Sequence, residues 1–223
     1  MAQGTKGAHE SRSRLSSQSR TPVEHVDELG PVAIKKYGGR AYVRKGVRFN
    51  VPQMQNPKGA VLLAGALSAT TNQLSWCYGR SKDTAAMIGL IEILFNQYPK
   101  KQRLYVTWDA ASWHDSNALV EWLDGFNVQT RQARRGPLVE LVPLPSSSQF
   151  LNVIESVFGG MKKAVVHHSD YPHPRDMKSA ISQHFRERNQ HFKENPCRAG
   201  KKIWQIDFFD DPANLRAGNY REY

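Results

Sequence analysis

Cysteine is nearly absent. The 223-residue chain has two, Cys77 and Cys197, and no Cys-x-x-Cys pair. That excludes a disulfide scaffold and a thiolate zinc site, and it fits a reducing cytoplasm. No apolar run is long enough to span a bilayer. Residues Met1–Arg20 are polar and rich in Ser and Arg, with no apolar centre, so they read as neither a secretory signal nor an anchor. The sequence also lacks a Gly-x-x-x-x-Gly-Lys-Ser/Thr loop, a Gly-x-Gly-x-x-Gly fingerprint and a Gly-x-Ser-x-Gly elbow. ATPase, dehydrogenase and serine hydrolase chemistry therefore have no footing.

Acidic residues are in the minority: 20 Asp and Glu against 31 Lys and Arg leave a net charge of +11. The surplus is uneven. Residues 31–58 hold Lys35, Lys36, Arg40, Arg44, Lys45, Arg48 and Lys58 and no acid. Residues 162–202 are again strongly basic, whereas residues 101–161 are close to neutral. Two basic flanks around a neutral middle suit a polyanion lying across an acidic site, although solvated basic faces on an ordinary soluble protein would look the same.

The length suits one domain with tails. Residues 1–22 read as a disordered basic tail. An apolar stretch at Val23 and Val26 leads into Asp27, and Gly30-Pro31 is expected to end it. Ala60–Leu67 reads as a buried strand with a hairpin partner over Gln73–Tyr78. A helix capped by Ser81 is expected to run to Tyr98, with Met87, Ile88, Ile91, Leu94 and Phe95 inward. Arg103–Trp108 is an apolar strand, His114–Leu123 has helical spacing, Asn127–Gly136 reads as a polar loop, and Leu138–Val142 is a strand. Ser146–Ser148 is expected to cap a helix reaching Val166, and Pro174 opens another that Asn195-Pro196 ends. The order predicts a mixed α/β layer fold whose strand ends gather a site at one edge.

Three acids stand out. Asp109 follows the apolar strand directly, where an unpaired carboxylate is costly and a cation or helix cap relieves the cost. Glu155 borders the apolar stripe Leu151, Ile154, Phe158, Met161 and Val165, though a solvated helix Glu is the plainer reading. Asp27 precedes a turn, and its neighbour Glu28 competes for the same role. Three carboxylates from separate elements could bind two hard cations and clamp the oxygens of a phosphoryl displacement. His167, His168, Asp170 and His173 form a rival metal cluster, but without the helical spacing of a zinc motif.

Trp108-Asp109-Ala110-Ala111-Ser112-Trp113-His114, then Leu141-Val142-Pro143-Leu144-Pro145, then Leu151-Asn152-Val153-Ile154-Glu155 resembles the DDE domain of Tc/mariner-type transposases, in their bacterial insertion-sequence branch. Asp27-Glu28, Tyr37-Gly38-Gly39-Arg40 and the stretch Asn195–Trp204 resemble the same group, so the likeness covers residues 23–206, with 207–223 as a C-terminal tail. It implies a ribonuclease H-like, retroviral integrase-like fold: a mixed central sheet flanked by helices. It also implies two Mg²⁺ or Mn²⁺ ions held by Asp27, Asp109 and Glu155. Those ions would serve strand cleavage at element ends and transfer of the freed 3′-hydroxyl into target DNA. Double-stranded DNA and a second copy in a homodimer are the implied partners, in a bacterial cytoplasm at the nucleoid and with no membrane. Asn152, Arg40, Arg44, Lys45, Lys162 and Lys163 are the expected DNA contacts. His114 is expected to touch DNA or the metal site, or to cap its helix.

The sequence departs from the family's pattern at three places. The Asp109–Glu155 interval is long, with the excess expected in Asn127–Gly136. Ala110 stands where Asn is common. Residues 1–22 cannot form the usual helix-turn-helix region, and the strand before Val23 looks clipped. A fragment, a partial reading frame or one half of a split transposase with a separate helix-turn-helix polypeptide is then expected. A truncated remnant that only binds DNA is the alternative, and a nuclease for branched DNA on the same fold is a third reading.

Overall fold

The computed structural model describes residues 21–39, 42, 44–48, 50–81, 84–108, 117–144 and 152–200. Strands β1 (Val23–Ala33), β2 (Ala60–Ser68), β3 (Leu74–Gly79), β4 (Arg103–Trp108) and β5 (Leu138–Pro143) make one sheet in the order β3-β2-β1-β4-β5. β1 pairs antiparallel with β2 and parallel with β4. Helices α1 (Thr84–Gln97) and α2 (Asn117–Ala133) cover one face. α3 (Ile154–Met161), a π turn at Lys162–Val166 and α4 (Pro174–Glu194) cover the other. With both faces covered, β2 is buried along nearly its whole length and shows no polar alternation.

Side-chain alternation along β1 sorts the two cores. Val26 packs under α1 and α2 with Leu104, Val106 and Trp108 of β4. Leu29 packs under α3 and α4 with Ile154, Phe158, Met161 and Phe185. Residues 25, 27 and 29 of β1 and 105 and 107 of β4 therefore share the α3 face. Ile154, Phe158 and Met161 are fully or almost fully buried. Each contributes about 1.5–3 kcal/mol by leaving water, and together they seat the short α3 on the sheet.

Three sequence expectations need correction. β1 does not end at Gly30-Pro31. It continues to Ala33 across an irregularity between Leu29 and Val32, because β2 resumes pairing at Val61. Asp27 is therefore mid-strand. Asn127–Ala133 is not a loop but the last two turns of α2. Trp122 and Phe126 of α2 stack at 4.9 Å, and Phe126 meets Phe95 of α1 edge-on. Helix α2 ends at Ala133, Arg134 takes a left-handed φ of 50°, and at Gly136 a φ of 81° and contact with the Phe95 ring leave no room for a side chain. In α1, Leu90 is buried beside Met87, Ile91 and Leu94, while Ile88 and Phe95 are half-buried. The proposed Ser146–Ser148 cap lies outside the described residues, and α3 begins at Ile154.

At each sheet edge a helix asparagine pairs with the backbone of one strand residue. Asn189 of α4 accepts from the Leu74 N–H at 2.8 Å and donates to its carbonyl at 2.7 Å. Asn127 of α2 does the same for Val139 of β5, at 3.0 and 2.9 Å. These backbone groups face away from the sheet on otherwise open edges. Asn189→Ala leaves two polar groups of buried Leu74 unsatisfied and is expected to cost roughly 1–3 kcal/mol, read as a lowered urea midpoint at unchanged slope.

Candidate metal and nucleic-acid site

Asp27 lies at the centre of the sheet, opposite Gly65 of β2. Directly opposed residues point to the same face. A Cβ on Gly65 would stand 2.9 Å from the Phe158 ring and 3.3 Å from Ile154 Cδ1. The missing side chain thus lets α3 settle onto the sheet beside Asp27. Asp27 is half-buried, and its Oδ1 accepts from the Glu28 N–H at 2.7 Å. Glu28 itself is buried on the opposite face, as its position in the strand requires, so of the two acids Asp27 shares a face with α3.

Glu155 is exposed in the first turn of α3, immediately after buried Ile154. Asn152 introduces that helix. It is 2% exposed, its Nδ2 donates to the Val26 carbonyl at 3.4 Å, and its carbonyl accepts from the Glu155 N–H at 3.1 Å. The start of α3 is therefore tied to β1 next to Asp27. Buried in this way, the Asn152 side chain is engaged with backbone rather than with solvent.

β4 runs parallel to β1, with Val23 opposite Tyr105 and His25 opposite Thr107. Asp109 and His114 lie outside the described residues, as does Arg40. Arg44 and Lys45 are exposed in the β1–β2 connection, and Lys162 and Lys163 are exposed on the π turn that follows α3. The histidine cluster does not assemble. His167 is exposed, the His168 N–H donates to the Gly38 carbonyl, and Asp170 pairs with Lys58 at 3.6 Å. Among the described residues no group of three or more His, Cys, Asp or Glu could hold a metal. No described helix is long and apolar enough to cross a membrane, and both cysteines are free.

Two buried polar residues went unnoticed in the sequence. Glu24, 1% exposed, accepts from the Tyr98 hydroxyl at 2.6 Å. Burial pushes its carboxyl up to about 8, against the Tyr98 and Ser68 hydrogen bonds that favour the charged form. His25, 5% exposed, hydrogen-bonds through Nδ1 to the Thr107 hydroxyl at 2.9 Å, and burial lowers its pKa. Alternation was the available signal for His25: two residues before Asp27, it had to share its face.

The family model for DDE superfamily endonucleases matches residues 22–178, which takes in both mapped carboxylates and the whole sheet. The chain belongs to the DDE superfamily of endonucleases. Among solved structures this DDE endonuclease is similar to Mos1 transposase in a paired-end complex with the left transposon end. That match has a TM-score of 0.56 at 16% identity over 96% of this chain and 61% of that one. A Mos1 mariner paired-end complex with Mn gives 0.55 at 16% identity, again over 96% and 61%. The catalytic domain of Mos1 mariner transposase gives 0.50 at 15% identity over 86% of this chain and 87% of that one. The DDE endonuclease thus spans 61% of the Mos1 chain in the DNA complexes. At these identities the likeness is one of fold, and the fold is ribonuclease H-like, as the sequence implied. No curated protein matches by sequence.

The donor set suits the divalent ions such a family uses. Asp27 and Glu155 offer hard carboxylate oxygens, the ligands that Mg²⁺ and Mn²⁺ prefer over imidazole or thiolate.

Proposed function

We propose that this DDE endonuclease is the catalytic domain of a DNA transposase of the bacterial insertion-sequence type, with Asp27, Asp109 and Glu155 holding two Mg²⁺ or Mn²⁺ ions. The observation that carries the reading is the register of β1 on β4. The described ladder joins the strand that carries Asp27 to β4, whose last residue, Trp108, directly precedes Asp109 in the sequence, and Asp27 shares its face of the sheet with α3, where Glu155 stands in the first turn. Bound there, a pair of divalent ions would activate the attacking oxygen and stabilise the leaving one. The protein's own part is to bring together three carboxylates from separate stretches of the chain, and no covalent intermediate is required. Arg40, Arg44, Lys45, Lys162 and Lys163 hold the DNA backbone, with His114 and Asp109 in the sequence between β4 and α2. Element ends and target DNA are the substrates, a second copy completes the active complex, and a helix-turn-helix polypeptide supplies end recognition. The setting is the bacterial nucleoid.

The direct test is nicking of supercoiled plasmid and joining of 3′-ends from DNA carrying the element's terminal repeats, with and without Mg²⁺. Metal-independent binding with no nicking would favour the DNA-binding remnant, and activity on branched DNA without repeats a structure-specific nuclease. DNA affinity is expected to fall steeply with salt. Replacing Lys162 and Lys163 together by Gln is expected to reduce the slope of log affinity against log salt by about two. An unchanged slope would remove these lysines from the interface.

A further inference from the structure

The β1–β4 ladder, which joins the strand carrying Asp27 to the strand that precedes Asp109 in the sequence, has few backbone bonds. Among the described residues it comprises three pairs, Val23↔Tyr105, Glu24↔Val106 and His25↔Thr107. The last pair is reinforced by side chains. His25 Nδ1 and the Thr107 hydroxyl meet at 2.9 Å, and both residues are buried on the α3 face. The next β1 carbonyl along, that of Val26, accepts from Asn152 at 3.4 Å, and so binds the start of α3 where the described ladder stops.

The spacing is regular. His25 is two residues before Asp27, Thr107 is two residues before Asp109, and Asn152 is three residues before Glu155. Each carboxylate of the proposed triad therefore follows a buried polar residue by two or three positions in the sequence, and these three are joined across the fold, His25 to Thr107 and Asn152 to the Val26 carbonyl. Apolar residues would pack the same positions at less cost. Among the described residues His25 Nε2 and Asn152 Oδ1 are buried without a hydrogen-bond partner, a penalty that a purely structural core position has no reason to carry. Misplacing a reacting group by about 1 Å costs on the order of 100-fold in rate, so a tier that fixes three carboxylates relative to one another has a use.

We infer that His25, Thr107 and Asn152 are positioning residues that set the spacing of the metal-holding carboxylates. The inference rests on the triad reading above. None of the three touches DNA or metal: they act through Asp27, Asp109 and Glu155.

The test measures Mn²⁺ binding by the full chain, from the electron paramagnetic resonance signal of free Mn²⁺, alongside thermal unfolding. The variants are Thr107→Val, Thr107→Ser, Asn152→Ala and, as reference, Asp27→Asn. Thr107→Val keeps the side-chain shape and loses only the hydroxyl. It is expected to unfold cooperatively yet weaken Mn²⁺ binding by about 10–100-fold, and Thr107→Ser, which keeps the hydroxyl, is expected to restore it. Asn152→Ala is expected to weaken binding similarly. If Asp27→Asn abolishes binding while Thr107→Val and Asn152→Ala bind as the native chain does, the positioning role is overturned and the triad stands. If Asp27→Asn also binds Mn²⁺ normally, the triad reading falls and the positioning role falls with it.

Discussion

Replacing Asp27 by Asn, Asp109 by Ala or Glu155 by Gln is expected to reduce metal-dependent strand cleavage on the order of 1,000-fold or more, each change alone. Metal stabilisation of the developing charge contributes several kcal/mol to a phosphoryl displacement, and each 1.36 kcal/mol is tenfold in rate. Folding is expected to survive where the structure describes the residue. Glu155 is exposed, and surface changes of this kind stay within about 0.5 kcal/mol. Asn at position 27 keeps an oxygen to accept from the Glu28 N–H. A folded variant that has lost cleavage but kept DNA binding separates the chemical role of the carboxylates from the electrostatic one. On the proposal that the three act as a unit, the double variant Asp27→Asn/Glu155→Gln is expected to be little worse than either single one. Single-turnover nicking measures all of this, and cleavage undiminished in Glu155→Gln would take that residue out of the site.

The second large effect concerns stability and pH. Glu24 is buried under α1 and α2 with its carboxyl raised from 4.5 to about 8. A raised carboxyl means that the folded state binds a proton the unfolded chain has released. Between about pH 4.5 and pH 8 the native state therefore holds more protons than the unfolded one, and stability falls as pH rises. The slope approaches about 1.4 kcal/mol per pH unit and levels off above the folded-state value. The contribution is fully present below pH 4.5 and lost by pH 8, a total on the order of a few kcal/mol. Glu24→Gln keeps an acceptor for the Tyr98 hydroxyl and cannot ionise. Its stability is expected to match the native chain near pH 5 and exceed it at pH 8.5. Urea denaturation at the two pH values checks this, and parallel profiles for the two chains would contradict it.

The central sheet was largely legible. Arg103–Trp108 is apolar, short and bounded by polar residues, and it is β4 to the residue. Ala60–Leu67 and its hairpin partner were equally plain, because a run of eight apolar or small residues has no use except a strand covered on both sides. The misreadings have specific causes. Asn127–Ala133 is polar because that end of α2 presents most of its residues to water, and Gln129, Arg131 and Gln132 are good helix formers whose lack of apolar periodicity hid the helix. The helix ends at Ala133, where Arg134 turns to a positive φ, with the glycine that could have signalled the turn two residues later at Gly136. Gly30-Pro31 has the composition of a turn, but tertiary pairing with β2 carries the strand through it.

The candidate site divides along similar lines. Asp27 and Glu155 could be named because the motifs Asp27-Glu28 and Leu151–Glu155 resemble the family's, whereas their apolar neighbours alone left a competing Glu28 and an ordinary solvated helix Glu as readings. That Asp27 faces α3 could not be read, since it depends on the antiparallel partner Gly65 and on the Phe158 ring and Ile154 methyl of α3 that its missing side chain admits. His25 and Thr107 are far apart in the chain, and only the parallel register joins them. Asn152 was expected to reach DNA on the strength of its motif, whereas its burial directs it to the Val26 carbonyl.

Anomalous diffraction from crystals of the chain soaked in Mn²⁺ tests the central claim most directly. Density peaks bounded by carboxylate oxygens of Asp27, Asp109 and Glu155 are the predicted result. Manganese bound elsewhere, with one of these three carboxyls turned to another face of the sheet, would contradict it.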